Sequence, residues 1–367
     1  MSGPVTDYLK RNILLPALIL PAFLLTWVLH QPVGKFPSYI EWNTIYTLAG
    51  LLVITMGIKE SGFFHVMAYH LSGKIRRERY LALFLVFLAA FLSSFLTNDI
   101  ALFIIVPLTL GFQDVLQKDY SRIIIFEALA VNAGSALTPI GNPQNIFLWH
   151  RWDISFLSFV KEMAPLVLIL MVWLFLFVII VFRSVKIKAN HRYAGGADKK
   201  LFYLSLLLLA SFIFFIEIDY GAWFLPAIFI LYLFYSPKVL TGADWTLLFL
   251  FVFIFIDIDL FCQIPAIARF FSQPALQDPG RLFLTGTLGS QLLSNVPATV
   301  LLSHYTTNFK VLAYAVNTGG NGLMIASFAN LIALRFISNR KKYCRFHFYS
   351  LVFFLITLMS VWFLLIR

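Results

Sequence analysis

The tetrapeptide LTND at residues 96–99 interrupts an apolar run that otherwise extends over 81–111. A hydroxyl, an amide and a carboxylate stand side by side there. These are Thr97, Asn98 and Asp99, and the Asp99 carboxylate can bind a cation or carry a proton. Asp99 can equally do no more than cap the helix that follows it. A second polar interruption, TPIGNP at residues 138–143, lies within another apolar stretch. Thr138 and Asn142 offer a hydroxyl and an amide there, and Pro139, Gly141 and Pro143 are helix breakers. Fainter copies of both occur later, as SNVP at 294–297 and GGNG at 319–322. In and just after them stand the polar Ser294, Asn295, Thr299, Asn321 and Ser327 and the pliant Gly319, Gly320 and Gly322. No lysine or arginine falls within these motifs, so an anion bound here would rest on amides, hydroxyls and helix ends.

Other chemistries find no footing. The seven histidines show no metal-ligand spacing, and Cys262 and Cys344 are the only cysteines. There is no glycine-rich phosphate loop, so this chain does not hydrolyse ATP, and no paired acid and base or activated nucleophile marks an enzyme. The chain is 60% hydrophobic and 12% charged, against about 25% charged in soluble domains. Its mean hydropathy is +0.85. These values require a membrane-embedded protein. The net charge of +11 does not indicate nucleic acid, because the basic residues cluster in short loops between apolar runs.

A spanning helix needs about 20 apolar residues. The pattern predicts crossings at 12–30, 42–59, 123–150, 163–183, 201–217, 222–236, 244–262, 311–338 and 346–366. The interrupted runs 81–111 and 281–306 read as re-entrant hairpins, each arm about 13 to 15 residues and too short to span. Three basic clusters test this: Lys74 to Arg79, Arg183 to Lys200, and Arg335 to Arg345. With both hairpins re-entrant, all three fall on the cytoplasmic side. The N-terminus is then cytoplasmic and the C-terminus periplasmic. Glu127 reads as an acid snorkelling at the inner end of its helix or as part of a proton path. Asp257 and Asp259 read as interfacial.

The sequence also repeats. Residues 130–150 align without gaps to 315–335, matching Asn132 with Asn317, Gly134 with Gly319 and Asn145 with Asn330. LTND matches LSNV at 293–296, and 41–48 echoes 244–251. The two copies enter the membrane from opposite sides. Inverted repeats with broken helices are transporter architecture. At a break, unpaired backbone is tolerated only where it lines a cavity or is buried in protein. Asn142 can cap a new helix with Pro143 at its first position, presenting a positive helix end to an anion. Asn98 and Asn295 are candidate caps at the hairpin tips.

Through LTNDIALFIIVP (96–107), NAGSALTPIGNPQN (132–145), SNVPAT (294–299) and GGNGLMIASFAN (319–330), the chain resembles the ion transporter superfamily, over roughly residues 42–366. The likeness is to its arsenite-permease and NhaD-type antiporter branch, with a citrate-transporter-like domain. The resemblance implies an all-α polytopic fold of two inverted repeats, 1–183 and 201–367, joined by a basic linker at 184–200. Scaffold would comprise 12–59 and 201–262, with arms at 61–76 and 263–272. An elevator-moving transport domain would hold the hairpins, the broken helices and the helices at 163–183 and 346–366. It implies substrate contacts from Asn98, Thr138, Asn142, Ser294, Asn295, Thr299, Asn321 and Ser327. Coupling-ion contacts would come from Thr97, Asn98, Asp99, Thr138 and Gly141, with Pro139, Gly141, Pro143, Gly319, Gly320 and Gly322 at the breaks. The expected function is secondary transport of a small inorganic or organic anion across a bacterial inner membrane, coupled to Na⁺ or H⁺, without other cofactor. A Na⁺/H⁺ antiporter using Asp99 is the alternative, and a polytopic enzyme a distant one. A homodimer and, as in arsenical pumps, an ATPase subunit are the implied partners, beside the lipid bilayer.

Overall fold

The computed structural model describes residues 14–72, 75–116, 120–186, 196–271, 274–337 and 341–367. Some sequence expectations therefore reach beyond the described residues. These are residues 12–13 of the first span, 73–74 and 272 of the arms, 187–195 of the linker, and 338 of the second broken helix, with Lys74, Lys188, Arg192 and Arg340 among the basic residues.

The described chain is helical, and its only β pairing is an isolated antiparallel bridge between Arg77 and Lys186. The first half holds α1 (Leu14–Val28), α2 (Trp42–Glu60), α3 (Phe63–Ser72), α4 (Glu78–Phe95), α5 (Asn98–Leu116), α6 (Ser121–Ser135), α7 (Pro143–Trp152) and α8 (Phe156–Val181). The second holds α9 (Lys199–Glu217), α10 (Gly221–Tyr235), α11 (Trp245–Cys262), α12 (Pro265–Phe271), α13 (Pro279–Leu293), α14 (Asn295–Ser303), α15 (Phe309–Gly319), α16 (Phe328–Arg335) and α17 (Lys342–Val361). Among the described residues, five helices are long and apolar enough to cross a membrane: α4, α8, α9, α11 and α17 with its π-helical end. Three shorter apolar helices join them, within α1, α5 and α10. The protein is a polytopic, multi-pass membrane protein.

Local chemistry accounts for the helix starts. Asp198 caps α9 by accepting from the Leu201 amide at 2.9 Å. Asp278 caps α13 through the Arg281 amide at 2.8 Å, ahead of Pro279 at the first position. Asn308 does the same for α15 through Val311 at 3.1 Å. Helix α8 starts at Phe156, earlier than expected, because Ser155 caps it and Pro165 lies inside rather than at its start.

The first hairpin differs from its expected dimensions. Helix α4 has 18 residues and α5 has 19, because α4 starts at Glu78, before residue 81, and α5 runs past residue 111 to Leu116. Length therefore does not argue that this pair turns back short of a crossing. The second pair is shorter, at 15 and 9 residues.

Packing sorts the helices into two groups. Helices α1, α2, α9, α10 and α11 lie together, with α2 against α9, α10 and α11 and α1 against α11. Helices α4 to α8 and α13 to α17 form the second group. Between the groups, α2 touches α5 and α7, α3 touches α5, and α11 touches α14. Gly134 and Gly319 let the broken helices come close to the hairpins. A Cβ on Gly134 would collide with the backbone of Ala90, and one on Gly319 would meet the Ser290 Cβ at 2.6 Å.

Candidate functional site

Helix α6 stops at Ser135 and α7 starts at Pro143, with Asn142 in extended conformation as the cap between them. The Asn142 Oδ1 accepts from the Asn145 amide at 2.9 Å. The end of α6 leaves carbonyls without helical partners. Asn145 collects them: its Nδ2 donates to the carbonyls of Ser135, Ala136 and Thr138 at 3.2, 3.3 and 3.0 Å. The first hairpin tip is tied to this break. The Asn98 amide donates to the Gly141 carbonyl at 3.0 Å, and the Thr138 hydroxyl to the Ser94 carbonyl at 2.5 Å.

The second break repeats these contacts at corresponding positions. Ser327 caps α16 by accepting from the Ala329 amide at 3.3 Å. Asn330 Nδ2 donates to the carbonyls of Gly320 and Leu323 at 3.0 and 3.3 Å. On α4, the Ser94 hydroxyl donates to the Gly134 carbonyl at 2.9 Å. The equivalent residue on α13 is Gln291, which reaches further. Its Nε2 donates to the carbonyls of Gly319 and Asn321 at 2.6 and 2.7 Å, and its Oε1 accepts from the Leu323 amide at 2.8 Å. Here the second break departs from the first: one long amide binds two carbonyls and a backbone amide, where the first break uses Ser94 and Asn145 for the carbonyls. Gly322 takes φ +109° in this turn, and a Cβ on it would strike the Gln291 amide.

The two breaks are joined by crossed asparagine pairs. Asn132 on α6 donates to the Asn330 Oδ1 on α16 at 2.9 Å, and to the Gly320 carbonyl at 3.1 Å. Asn317 on α15 donates to the Asn145 Oδ1 on α7 at 2.8 Å. Each cap then binds across: Asn142 donates to the Asn317 Oδ1, and Ser327 to the Asn132 Oδ1, both at 3.0 Å. All six side chains are at most 4% exposed. The ends of four half-helices are thus locked together inside the second helix group.

A profile of citrate transporters matches residues 9–310. The chain belongs to the citrate transporter family. It is 40% identical to the inner membrane protein YbiR of Escherichia coli over 96% of this chain and 95% of that protein. An uncharacterized transporter of Methanocaldococcus jannaschii is 36% identical over 84% of each chain. The mouse P protein is 31% identical over 132 residues, which is 33% of this chain and 16% of that one. The family match spans both hairpins and the first broken helix and stops just inside α15.

The expected site residues divide by what their polar atoms do. Thr97, Asn98, Thr138, Asn142, Asn295, Thr299, Asn321 and Ser327 are all buried. Asn142 and Ser327 are caps and cross-links. Asn98 accepts from the neighbouring Asp99 amide at 3.0 Å. Asn295 is not a cap: it opens α14 from inside, and Ser294 precedes it at φ +76° with no capping bond. Thr299 spends its hydroxyl on the Asn295 carbonyl at 2.6 Å. Gly141 has no positive φ, so its part is close approach rather than turning, since a Cβ there would strike the backbone of Ser135 and Ser93. Gly320 lies against the Asn295 amide, where a Cβ would sit 3.2 Å from Nδ2. At the breaks and the first hairpin tip, three groups keep buried polar atoms with no protein partner: Asp99 at Oδ1, Thr318 at its hydroxyl, and Asn321 at both amide atoms.

Two acids are more enclosed by protein than expected. Glu127 does not snorkel: it is 0% exposed and accepts from the Thr109 hydroxyl at 2.5 Å. Asp257 is buried, with neither oxygen partnered, while Asp259 lines a cleft with Glu41, Arg151 and His304. Asn132, Asn145, Asn317, Asn330 and Gln291 hold the site without having been candidates for it. The asparagines carry a signal in the sequence, since both pairs are identities of the repeat.

Proposed function

We propose that the protein is a secondary active transporter of a small anion, coupled to a single Na⁺ or H⁺, in a bacterial inner membrane. The observation that carries this reading is the crossed asparagine lattice. It holds the amino-terminal ends of α7 and α16 in one buried place, and such ends favour negative charge. The family's description makes citrate and similar carboxylates the first substrates to try. Asp99 supplies the cation side. Gln291 supports a single coupling site, because its amide already occupies the carbonyls of the second break. The residue-by-residue match between the breaks supports inverted repeats, and the placement of the basic clusters supports a cytoplasmic N-terminus and a periplasmic C-terminus. The matching family is described as citrate transporters and the Methanocaldococcus relative is named as a transporter, which supports transport over catalysis. Helix α10, exposed at Trp223 and Phe234, is where a homodimer partner would pack; an ATPase subunit has no comparable feature supporting it.

The test is uptake of labelled citrate, smaller carboxylates and inorganic oxyanions into proteoliposomes under imposed Na⁺ or pH gradients. Accumulation of one anion under one gradient is expected. Na⁺-dependent proton release without anion uptake would instead establish the antiporter, the reading that the unpartnered Asp99 oxygen also favours.

An elevator motion adds a prediction. The corner between α7 and α8 is clasped to the other helix group by polar contacts. The His150 ring lies 2.7 Å from the Thr47 hydroxyl, the Phe156 amide donates to Glu217 at 2.5 Å, and Arg151 reaches Glu41 at 3.9 Å. These must part if the second group slides. Cysteines replacing Thr47 and His150, with Cys262 and Cys344 changed to serine, should abolish uptake once joined by a short bismaleimide. Undiminished uptake in the cross-linked protein would rule the sliding motion out.

A further inference from the structure

A cavity of about 530 Å³ opens away from the site, between the starts of α4 and α6 and the end of α8. It is lined by Glu78, Tyr120, Arg122, Phe182, Arg183 and Val185 among others. Its wall is built. The Glu78 amide donates to the Val185 carbonyl at 3.0 Å, Arg79 Nε to the Phe182 carbonyl at 2.8 Å, and Arg77 to the Ser184 hydroxyl at 3.0 Å. The Arg77 to Lys186 bridge closes the same seam.

The lining has the means to hold an anion. Helix α6 begins here with Tyr120 as a cap residue that makes no side-chain capping bond. Its first amides point out of the helix end, where negative charge is favoured. Tyr120 is 3% exposed, yet its buried hydroxyl has no partner. Arg122 and Arg183 are exposed at the mouth, and guanidinium groups bind phosphate through paired donors. Glu78 adds one carboxylate to the lining. The surroundings are basic, with Arg77, Arg79 and Lys186 on the seam, the distribution expected at an anionic membrane surface.

We propose that this cavity binds the phosphate-bearing headgroup of a membrane phospholipid, through Arg122, Arg183, the Tyr120 hydroxyl and the start of α6. The cavity joins the end of α8 to the linker that leads back to α9, so a lipid here would anchor the second helix group at the membrane surface. This inference stands independently of the transported substrate.

The experiment uses delipidated full-length protein. Phosphatidylglycerol binding is titrated by native mass spectrometry, and thermal shifts are read in parallel with phosphatidylglycerol, glycerol phosphate and inorganic phosphate. Arg122→Gln with Arg183→Gln should weaken phosphatidylglycerol binding about tenfold or more, as expected for lost charge-assisted bonds. Tyr120→Phe keeps the ring and its packing, and should weaken binding severalfold. It decides the matter alone if the arginine variant does not fold. A shift with glycerol phosphate that the arginine variant loses, without lipid binding, would keep the anion site but overturn the lipid as its occupant. Equal binding of every ligand by wild type and both variants, or binding of none, would overturn the site.

Discussion

Asp99→Asn is expected to fold, to bind and exchange anion, and to lose ion-driven accumulation. A carboxylate in the interior of a membrane bundle costs roughly 2.5–3.5 kcal/mol on insertion scales. The turn does not require it: Val296 occupies the equivalent position of the second hairpin. Nor does a protein donor hold it, since its Oδ1 is buried and unpartnered while Asn98 takes only its backbone amide. A group that is costly, dispensable for the turn and unpaired is available for a cation. A tenfold ion gradient is worth about 1.4 kcal/mol per coupled ion, so wild type should reach up to about tenfold accumulation for each ion. The variant should reach none. If H⁺ couples, asparagine imitates the protonated acid, and exchange should persist and become independent of pH. If Na⁺ couples, thermal stabilisation by Na⁺ should vanish. Asn295→Ala should leave coupling intact and raise KM. Accumulation by Asp99→Asn equal to wild type under both gradients would reduce Asp99 to a turn residue.

The motifs that make Asp99 legible also locate both breaks. Prolines, glycines and amides inside an apolar run are too costly in hydrocarbon unless the helix stops there against protein or a cavity. Asn142 with Pro143 carries its capping role in two adjacent letters. What the sequence does not convey is direction in space. The repeat aligns Asn132 with Asn317 and Asn145 with Asn330, yet the bonds run diagonally, Asn132 to Asn330 and Asn317 to Asn145. A linear alignment pairs equivalents, whereas each bond runs from one asparagine to the equivalent of the other asparagine of its own break. Glu127 is illegible for a related reason. Whether an acid snorkels or stays inside depends on a hydroxyl eighteen residues earlier, on another helix. The hairpin arms come out short on a reading that stops the first hairpin at 111, whereas α5 runs through Pro107 to Leu116.

The diagonal bonds separate residues that hold the site from residues free to meet a ligand, and the two kinds should respond oppositely to truncation. Asn317→Ala removes the acceptor of the Asn142 amide and the donor to Asn145 Oδ1. Both partners are buried, at 1% and 0% exposure. A buried polar group left unpaired costs about 1–3 kcal/mol, well above the ~0.6 kcal/mol of an average interhelical bond in a membrane bundle. A fall of several degrees in melting temperature is expected, with Asn132→Ala losing about as much, since it strips the Asn330 Oδ1 of its donor and the Ser327 hydroxyl of its acceptor. Combining Asn317→Ala with Asn145→Ala should cost less than the sum, because the second change removes a group the first had already stranded. Asn321→Ala should behave differently. Its amide is fully buried but bonds to no protein group. Removing it strands nothing, so the melting temperature should hold or rise slightly, while substrate KM rises severalfold. Thermal unfolding and uptake kinetics on the same preparations distinguish the cases. If Asn321→Ala melts as low as Asn317→Ala with an unchanged KM, Asn321 belongs to the lattice, and the substrate must be held by Asn295 and the helix ends instead.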